Sequence, residues 1–213
     1  MCDEMPDQRD HAGSQADAAS ADTAGTLHLT DPRALRALAH PVRLSLLGLL
    51  RTEGPHTASQ AGLRLDVSAQ SCTYHLSQLA KWGLVEDAGG GKGRERPWRA
   101  TSLFTHWDSV SLEPEMEAAA QVLEAAIAER YFQRVLKWIE RRHLESRDWQ
   151  EAAEFGDTLV YLTPAELRTI SRCVQRVLEQ YQCRLGDSEH RPEGARPVAV
   201  VHLAFPIDDA TLT

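Results

Sequence analysis

VSAQSCTYHLSQLAKWG, residues 67–83, is the stretch whose reading decides the fold, because its two faces carry opposite chemistry at helical spacing. At about 100° per residue, Gln70, Thr73, Tyr74, Ser77 and Lys81 share one arc, and Cys72, Leu76, Leu79 and Gly83 share the other. The outer arc lacks the Glu/Lys mixture of a solvated helix, and its amides, hydroxyls and phenol are groups that bond to base edges and phosphates. Taken alone, the stretch fits a helix made to enter a groove or an ordinary amphipathic helix. Its neighbours decide between them.

On the N-terminal side, Asp66-Val67-Ser68 predicts a turn, with the Ser68 hydroxyl as N-cap of the helix that follows. Before it, Thr57-Ala58-Ser59-Gln60 predicts a cap and first turn leading into AGLRL. Two short helices joined by about three residues, the second polar on its outer face, make a helix-turn-helix arrangement. Further back, Thr30-Asp31-Pro32 starts a helix through RALRALA, with Leu35 and Leu38 on one side. His40-Pro41 interrupts it, and VRLSLLGLLRTEG follows, too apolar at Leu44, Leu46, Leu47, Leu49 and Leu50 for a surface helix. It is expected at the centre of a small bundle.

On the C-terminal side, Gly83 supplies a C-cap. Leu84 to Asp87 and Arg94 to Thr101 are two short alternating segments around a glycine run, which predicts a β-hairpin. Its tip carries Lys92, Arg94 and Arg96, with Arg99 on the returning strand. A basic hairpin directly after a helix-turn-helix has the character of a wing laid on a phosphate backbone. The run GGGKGRER does not fit G-x-x-x-x-G-K-[ST], since no Ser or Thr follows Lys92.

The pieces in order, LTDPRALRALAHPVRLSLLGLL, SAQSCTYHLSQLAKWGLVED and GKGRERPWRA, resemble the ArsR-type winged helix-turn-helix transcriptional regulators. The matching features are an A-H-P-x-R-L helix start, the recognition-helix pattern CTYHLSQL and a wing ending in R-E-R-x-W-R, across residues 29 to 102. The resemblance implies a DNA-binding regulator with Ser68, Gln70, Ser71, Thr73, Tyr74 and Ser77 facing the groove of double-stranded DNA. It places Lys92, Arg94 and Arg96 as wing contacts to phosphates. Metal sensors of the family often carry a Cys-x-Cys box on the helix before the recognition helix. Here that helix reads TASQAGLRL, without cysteine. The histidines are scattered and form no i, i+4 pairs, so neither a metal nor another cofactor is expected, a site built across a dimer staying open. His75 is expected sideways and half-buried, in a structural role.

The chain's net charge of -8 hides a division that fits this reading. Residues 30–102 hold ten Lys/Arg against six Asp/Glu, and the remainder thirteen against twenty-five. Phosphate contact is favoured in the first and discouraged in the second. Cys2, Cys72, Cys173 and Cys183 form no C-x-x-C pair and no zinc spacing, so reduced thiols are expected, the last two on one helix. With an acidic N-terminus and no long apolar run, a cytoplasmic location without membrane contact is expected. No G-x-S-x-G, H-E-x-x-H or nucleotide fingerprint occurs, and no enzyme is expected.

Residues 1–27, rich in Ala, Asp, Ser and Gly, are read as a disordered acidic tail. Residues 28–104 form the winged helix-turn-helix domain. After a connector, residues 113–146 are read as a long dimerisation helix, with Met116, Ala119, Ala120, Leu123, Ile127, Tyr131, Val135 and Trp138 in one stripe. Residues 155–206 are read as a small α/β unit. In it, a strand over Phe155–Leu162 leads to a capping-box helix from Thr163 with Leu167, Ile170, Val174, Val177, Leu178 and Tyr181 inward, and a second strand covers Val198–Phe205. Trp138, Tyr161, Tyr181 and Phe205 fit either core packing or a hollow for an unidentified small-molecule effector. The expected fold class is therefore α+β, mainly helical. The expected protein is a homodimeric, sequence-specific DNA-binding regulator. Two alternatives are a winged-helix module for protein association and a thiol redox-responsive regulator acting through Cys72.

Overall fold

Helix caps and apolar stripes set the order of elements in the computed structural model, which describes residues 26–91, 96–185 and 189–207. Strand β1 (Thr26–His28) precedes α1 (Pro32–Leu38) and α2 (Pro41–Glu53). Strand β2 (His56–Thr57) leads into α3 (Ala58–Leu65) and α4 (Ala69–Lys81). Strands β3 (Val85–Asp87), β4 (Pro97–Ala100) and β5 (Phe104–His106) precede the 28-residue α5 (Pro114–Arg141). Helices α6 (Arg147–Ala152) and α7 (Pro164–Glu179) complete the set. The architecture is mainly helical α+β.

The caps follow the local rules of the sequence. The Asp31 carboxylate accepts from the Arg33 amide at 2.8 Å with Pro32 at the first helical position. Thr57 and Gln60 form a reciprocal capping box on α3, and Thr163 and Glu166 form another on α7. Helix α4 ends in a Schellman pattern: Leu84 N–H donates to the Leu79 carbonyl at 3.1 Å and Gly83 N–H to that of Ala80 at 3.0 Å. Gly83 sits at φ 67°, the left-handed conformation this ending requires.

The core gathers α1, α2, α4 and the start of α5. Leu35, Leu46, Leu76, Leu79, Leu84 and Leu123 are fully buried in it, with Met116, Ala119 and Ala120 sealing it from α5. Thus the first third of the long helix belongs to the core of the N-terminal unit. Arg51 on α2 is partly buried at the same seam. Its guanidinium donates to the Ser102 carbonyl at 2.9 Å and the Thr105 hydroxyl at 2.6 Å, tying α2 to the connector before α5. Desolvation pushes its pKa down to about 10, so it stays charged at neutral pH.

Strands β3 and β4 pair antiparallel, Val85 with Ala100 and Asp87 with Trp98, and β2 joins on the far edge of β4. This is the expected hairpin with a third strand added. Strand β1 pairs parallel with β5, Thr26 opposite Phe104, so ordered structure begins inside the stretch whose composition reads as tail. Residues 1–25 of that tail, with Cys2, lie outside the described residues.

The C-terminal expectations need correction. Helix α7 forms, but neither Phe155–Leu162 nor Val198–Phe205 makes a strand. Alternation records a preference for a pleated surface, whereas a strand exists only where a neighbour takes its N–H and C=O groups. Among the described residues, no such neighbour stands beside either segment. Consequently α7 has no sheet to cover: Ile170, Val177 and Leu178 are exposed, Leu167 and Val174 are only partly buried, and Tyr181, also exposed, falls past the helix end. Tyr161 is 99% exposed and Phe205 is exposed, so with Trp138 and Tyr181 they form neither a core nor a hollow. Cys183 lies in a separate one-turn helix, Gln182–Arg184, after α7 has ended.

Candidate nucleic-acid interface

The turn between α3 and α4 is held by backbone. Gly62 carbonyl accepts from the amides of Asp66 and of Val67, the latter at 3.0 Å, while Asp66 takes a left-handed φ of 55°. A Cβ on Gly62 would lie 2.5 Å from the Val67 carbonyl oxygen, so only glycine lets the chain turn this closely. Ser68 then caps α4, its hydroxyl oxygen accepting from the Ser71 amide at 3.2 Å. Cys72, Leu76 and Leu79 are fully buried and orient the helix.

The face so presented matches the expected arc. Ser68, Gln70, Thr73, Tyr74 and Ser77 are exposed and Ser71 is half-buried. Their hydrogen-bonding capacity differs. Thr73 hydroxyl donates back to the Ala69 carbonyl at 2.9 Å and Ser77 hydroxyl to that of Thr73 at 2.8 Å, so both offer lone pairs outward rather than protons. Gln70 and Tyr74 make no hydrogen bond within the described residues and keep donor and acceptor free. The Ser68 hydroxyl donates no hydrogen bond among the described residues and stands at the helix N-terminus, where the dipole favours negative charge.

Of the wing residues, Arg96 stands beside β4 and reaches the Asp87 carboxylate at 3.8 Å, with both side chains largely solvated. Such a solvated pair is weak. Arg99 is held more closely by Glu86, at 2.8 Å across the hairpin. Lys92 and Arg94 lie outside the described residues.

Two histidine pairs are not legible from the scattered positions in the chain. His28 and His106 meet across β1 and β5 at 5.0 Å. More consequential, His40 and His75 meet at 4.5 Å with their planes tilted by 38°, behind the exposed face of α4, and Tyr74 meets the edge of His75 at 5.2 Å. His40 is the N-cap of α2, its Nδ1 accepting from the Val42 amide at 3.2 Å. His75 is buried rather than half-buried, and its Nδ1 has no partner among the described residues. Desolvation lowers the pKa of both rings. Repulsion from Arg43 acts further on each, and His75 also feels His40. Arg43 itself donates to the Ala37 carbonyl, and no carboxylate among the described residues pairs with it.

Because both folded pKa values lie below the ordinary 6.5, the unfolded chain takes up these protons first. Their contribution is complete above that value and is lost as pH falls below it. The thermal midpoint is therefore expected to decline between pH 7 and 5, and to decline less in His75→Phe, which keeps a ring in the stack. Parallel pH profiles for the two proteins in calorimetry would mean that the histidine stack is not the source of the acid sensitivity.

Cys72 sits in α4 but faces the core, and burial raises its thiol pKa, which opposes thiolate formation. Cys72, Cys173 and Cys183 are free thiols. Among the described residues, no three His, Cys, Asp or Glu side chains are grouped to hold a metal ion. No described helix is long and apolar enough to cross a membrane.

Residues 38–88, from the end of α1 through β3, match a family model described as a helix-turn-helix domain. The chain carries a helix-turn-helix domain. Among solved structures, it is similar to reduced HlyU from Vibrio cholerae N16961, at 21% identity over 43% of this chain and 81% of that one, with a TM-score of 0.28. No curated protein matches. The helix-turn-helix domain thus spans α2, α3 and α4 with the first wing strand, and contains every expected groove-facing residue.

Proposed function

We propose that the protein is a sequence-specific, DNA-binding transcriptional regulator of ArsR type that acts as a homodimer. The observation that carries this reading is the outer face of α4, where Gln70 and Tyr74 stand exposed, uncharged and without a hydrogen bond among the described residues, on a helix locked to the core. A helix end of this chemistry fits the major groove, where amides and hydroxyls discriminate base edges. Wing arginines beside it fit the flanking phosphates. A protein-association module would have no need of a basic wing. The distal half of α5 supports pairing of two copies: Phe132, Leu136 and Ile139 remain exposed after the proximal part is buried at home. Two recognition helices related by a two-fold axis would then read successive half-sites of a pseudo-palindrome.

Selection of bound fragments from genomic DNA, followed by anisotropy titration against random duplex, tests the reading. A shared motif bound much more tightly than random sequence is expected, and equal affinity for both would refute it. The wing has its own test. Replacing Arg94 and Arg96 by Ala should weaken specific and random binding alike and lower the slope of log K against log salt by about one for each phosphate that is no longer neutralised. An unchanged slope would take the wing off the backbone.

A further inference from the structure

Apart from Leu63, Tyr74, Val110 and Leu112, every large apolar side chain left exposed among the described residues lies from Val122 onward. This excess falls on two kinds of element. One is helical: Phe132, Leu136 and Ile139 on α5, and Ile170, Val177 and Leu178 on α7, with Tyr181 just past its end. The other is the pair of unpaired segments. In Phe155–Leu162, Leu159, Val160, Tyr161 and Leu162 are all exposed, and in Val198–Phe205, Val198, Val200, Val201 and Leu203. Neighbouring positions are apolar in both, so each segment presents oil on both faces, the pattern of a strand covered on two sides. No backbone group of either makes a hydrogen bond to another part of the described chain.

The second segment is nevertheless anchored where it begins. Arg196 grips the Glu145 carboxylate through two bonds of 2.6 and 3.1 Å, and its guanidinium lies 5.1 Å from the Trp149 ring. Just before it, Arg191 donates to the Thr52 carbonyl at the end of α2, at 2.8 Å. The segment therefore starts at a defined place, beside the distal end of α5.

We infer that Phe155–Leu162 and Val198–Phe205 pair with the same segments of a second copy, so that the C-terminal sheet exists only in the dimer. This inference rests on the homodimer proposed above and assigns its second surface. What selects a second copy is the composition of the exposed surface. It offers bare segments of strand-like composition and bare helix faces together, the two layers of one α/β unit, so it is complementary to itself, as a two-fold interface must be. The aromatic rings alone supply much of the area an interface needs. Phe132, Phe155, Tyr161, Tyr181 and Phe205, half exposed or more, offer roughly 500 Å² at ~150 Å² or more per ring. That is over half of the ~800 Å² per partner in a stable interface.

The test uses the full chain, with sedimentation for assembly state and amide hydrogen exchange for the two segments. Protection over 155–162 and 198–205 should appear with the dimer and vanish on dilution to monomer. Val200→Asp combined with Leu203→Asp should raise the dimer dissociation constant at least about a hundredfold, as disrupting the apolar centre of an interface does, while the winged domain keeps its thermal transition. A wild-type chain that stays monomeric at high concentration overturns this inference and the homodimer together. A dimer whose segments exchange freely, or that the Asp variant leaves intact, overturns only the shared sheet. Protection that persists in the monomer means the strands pair within one chain and overturns it too.

Discussion

The double variant Gln70→Ala, Tyr74→Ala is expected to fold normally and to lose on the order of a hundredfold in affinity for its preferred duplex, at about 1–3 kcal/mol per well-placed base contact. Random duplex should be bound almost as before, because that affinity comes from phosphates. The fold should survive because both side chains point outward and neither bonds to the described chain, while Cys72, Leu76 and Leu79 hold α4 from the other side. Thr73 and Ser77 occupy the same face but commit their protons to the Ala69 and Thr73 carbonyls. Their alanine variants should therefore cost less, under about tenfold, since each removes a single acceptor. Anisotropy titrations on selected and random duplexes separate the cases. Equal losses on both would mean that α4 touches the backbone alone and that base discrimination lies elsewhere.

The division of labour on α4 is legible in the sequence because a helix arranges its faces by a fixed rotation. The caps at Asp31, Thr57, Ser68 and Gly83 are legible for a related reason: each is settled within three or four residues. What is not legible depends on distant partners. His40 and His75 are far apart in the chain and meet only once α2 and α4 pack, so spacing gives no hint of the stack or of the unpartnered Nδ1. Strand β1 hides in a tail-like composition because Thr26–His28 is too short to show a period, and its pairing with β5 is decided from the other end of the domain. At the C-terminus the reverse holds. Phe155–Leu162 and Val198–Phe205 have strand-like composition, but composition does not say which chain supplies the ladder. The capping box at Thr163, by contrast, is local and forms as its four residues predict.

Gly62→Ala should be the most damaging alanine substitution among the described glycines of the domain. Overpacking usually costs about 1–3 kcal/mol because neighbours shift to make room. Here the obstacle is the Val67 carbonyl oxygen, 2.5 Å from the new Cβ, and the backbone around it cannot easily give way. The Gly62 carbonyl already accepts from Asp66 and Val67, so moving one side of the turn away breaks the bonds that make it. A cost near the top of that range, about 3 kcal/mol, would lower the melting temperature by roughly 10–20 °C in a domain of this size. Leu76→Ala, which opens a cavity behind the same helix, should cost a comparable ~2–5 kcal/mol. Leu63→Ala on α3, at a side chain 87% exposed, should change stability by less than about 0.5 kcal/mol. The two damaging changes are expected to differ at a temperature where both proteins are folded. Leu76→Ala leaves the turn intact and should bind DNA nearly normally, whereas Gly62→Ala re-angles α4 against α3 and should bind weakly even when fully folded. Should Gly62→Ala melt within a few degrees of the parent protein and bind DNA as tightly, the close approach at Val67 would not be what sets the angle of the recognition helix.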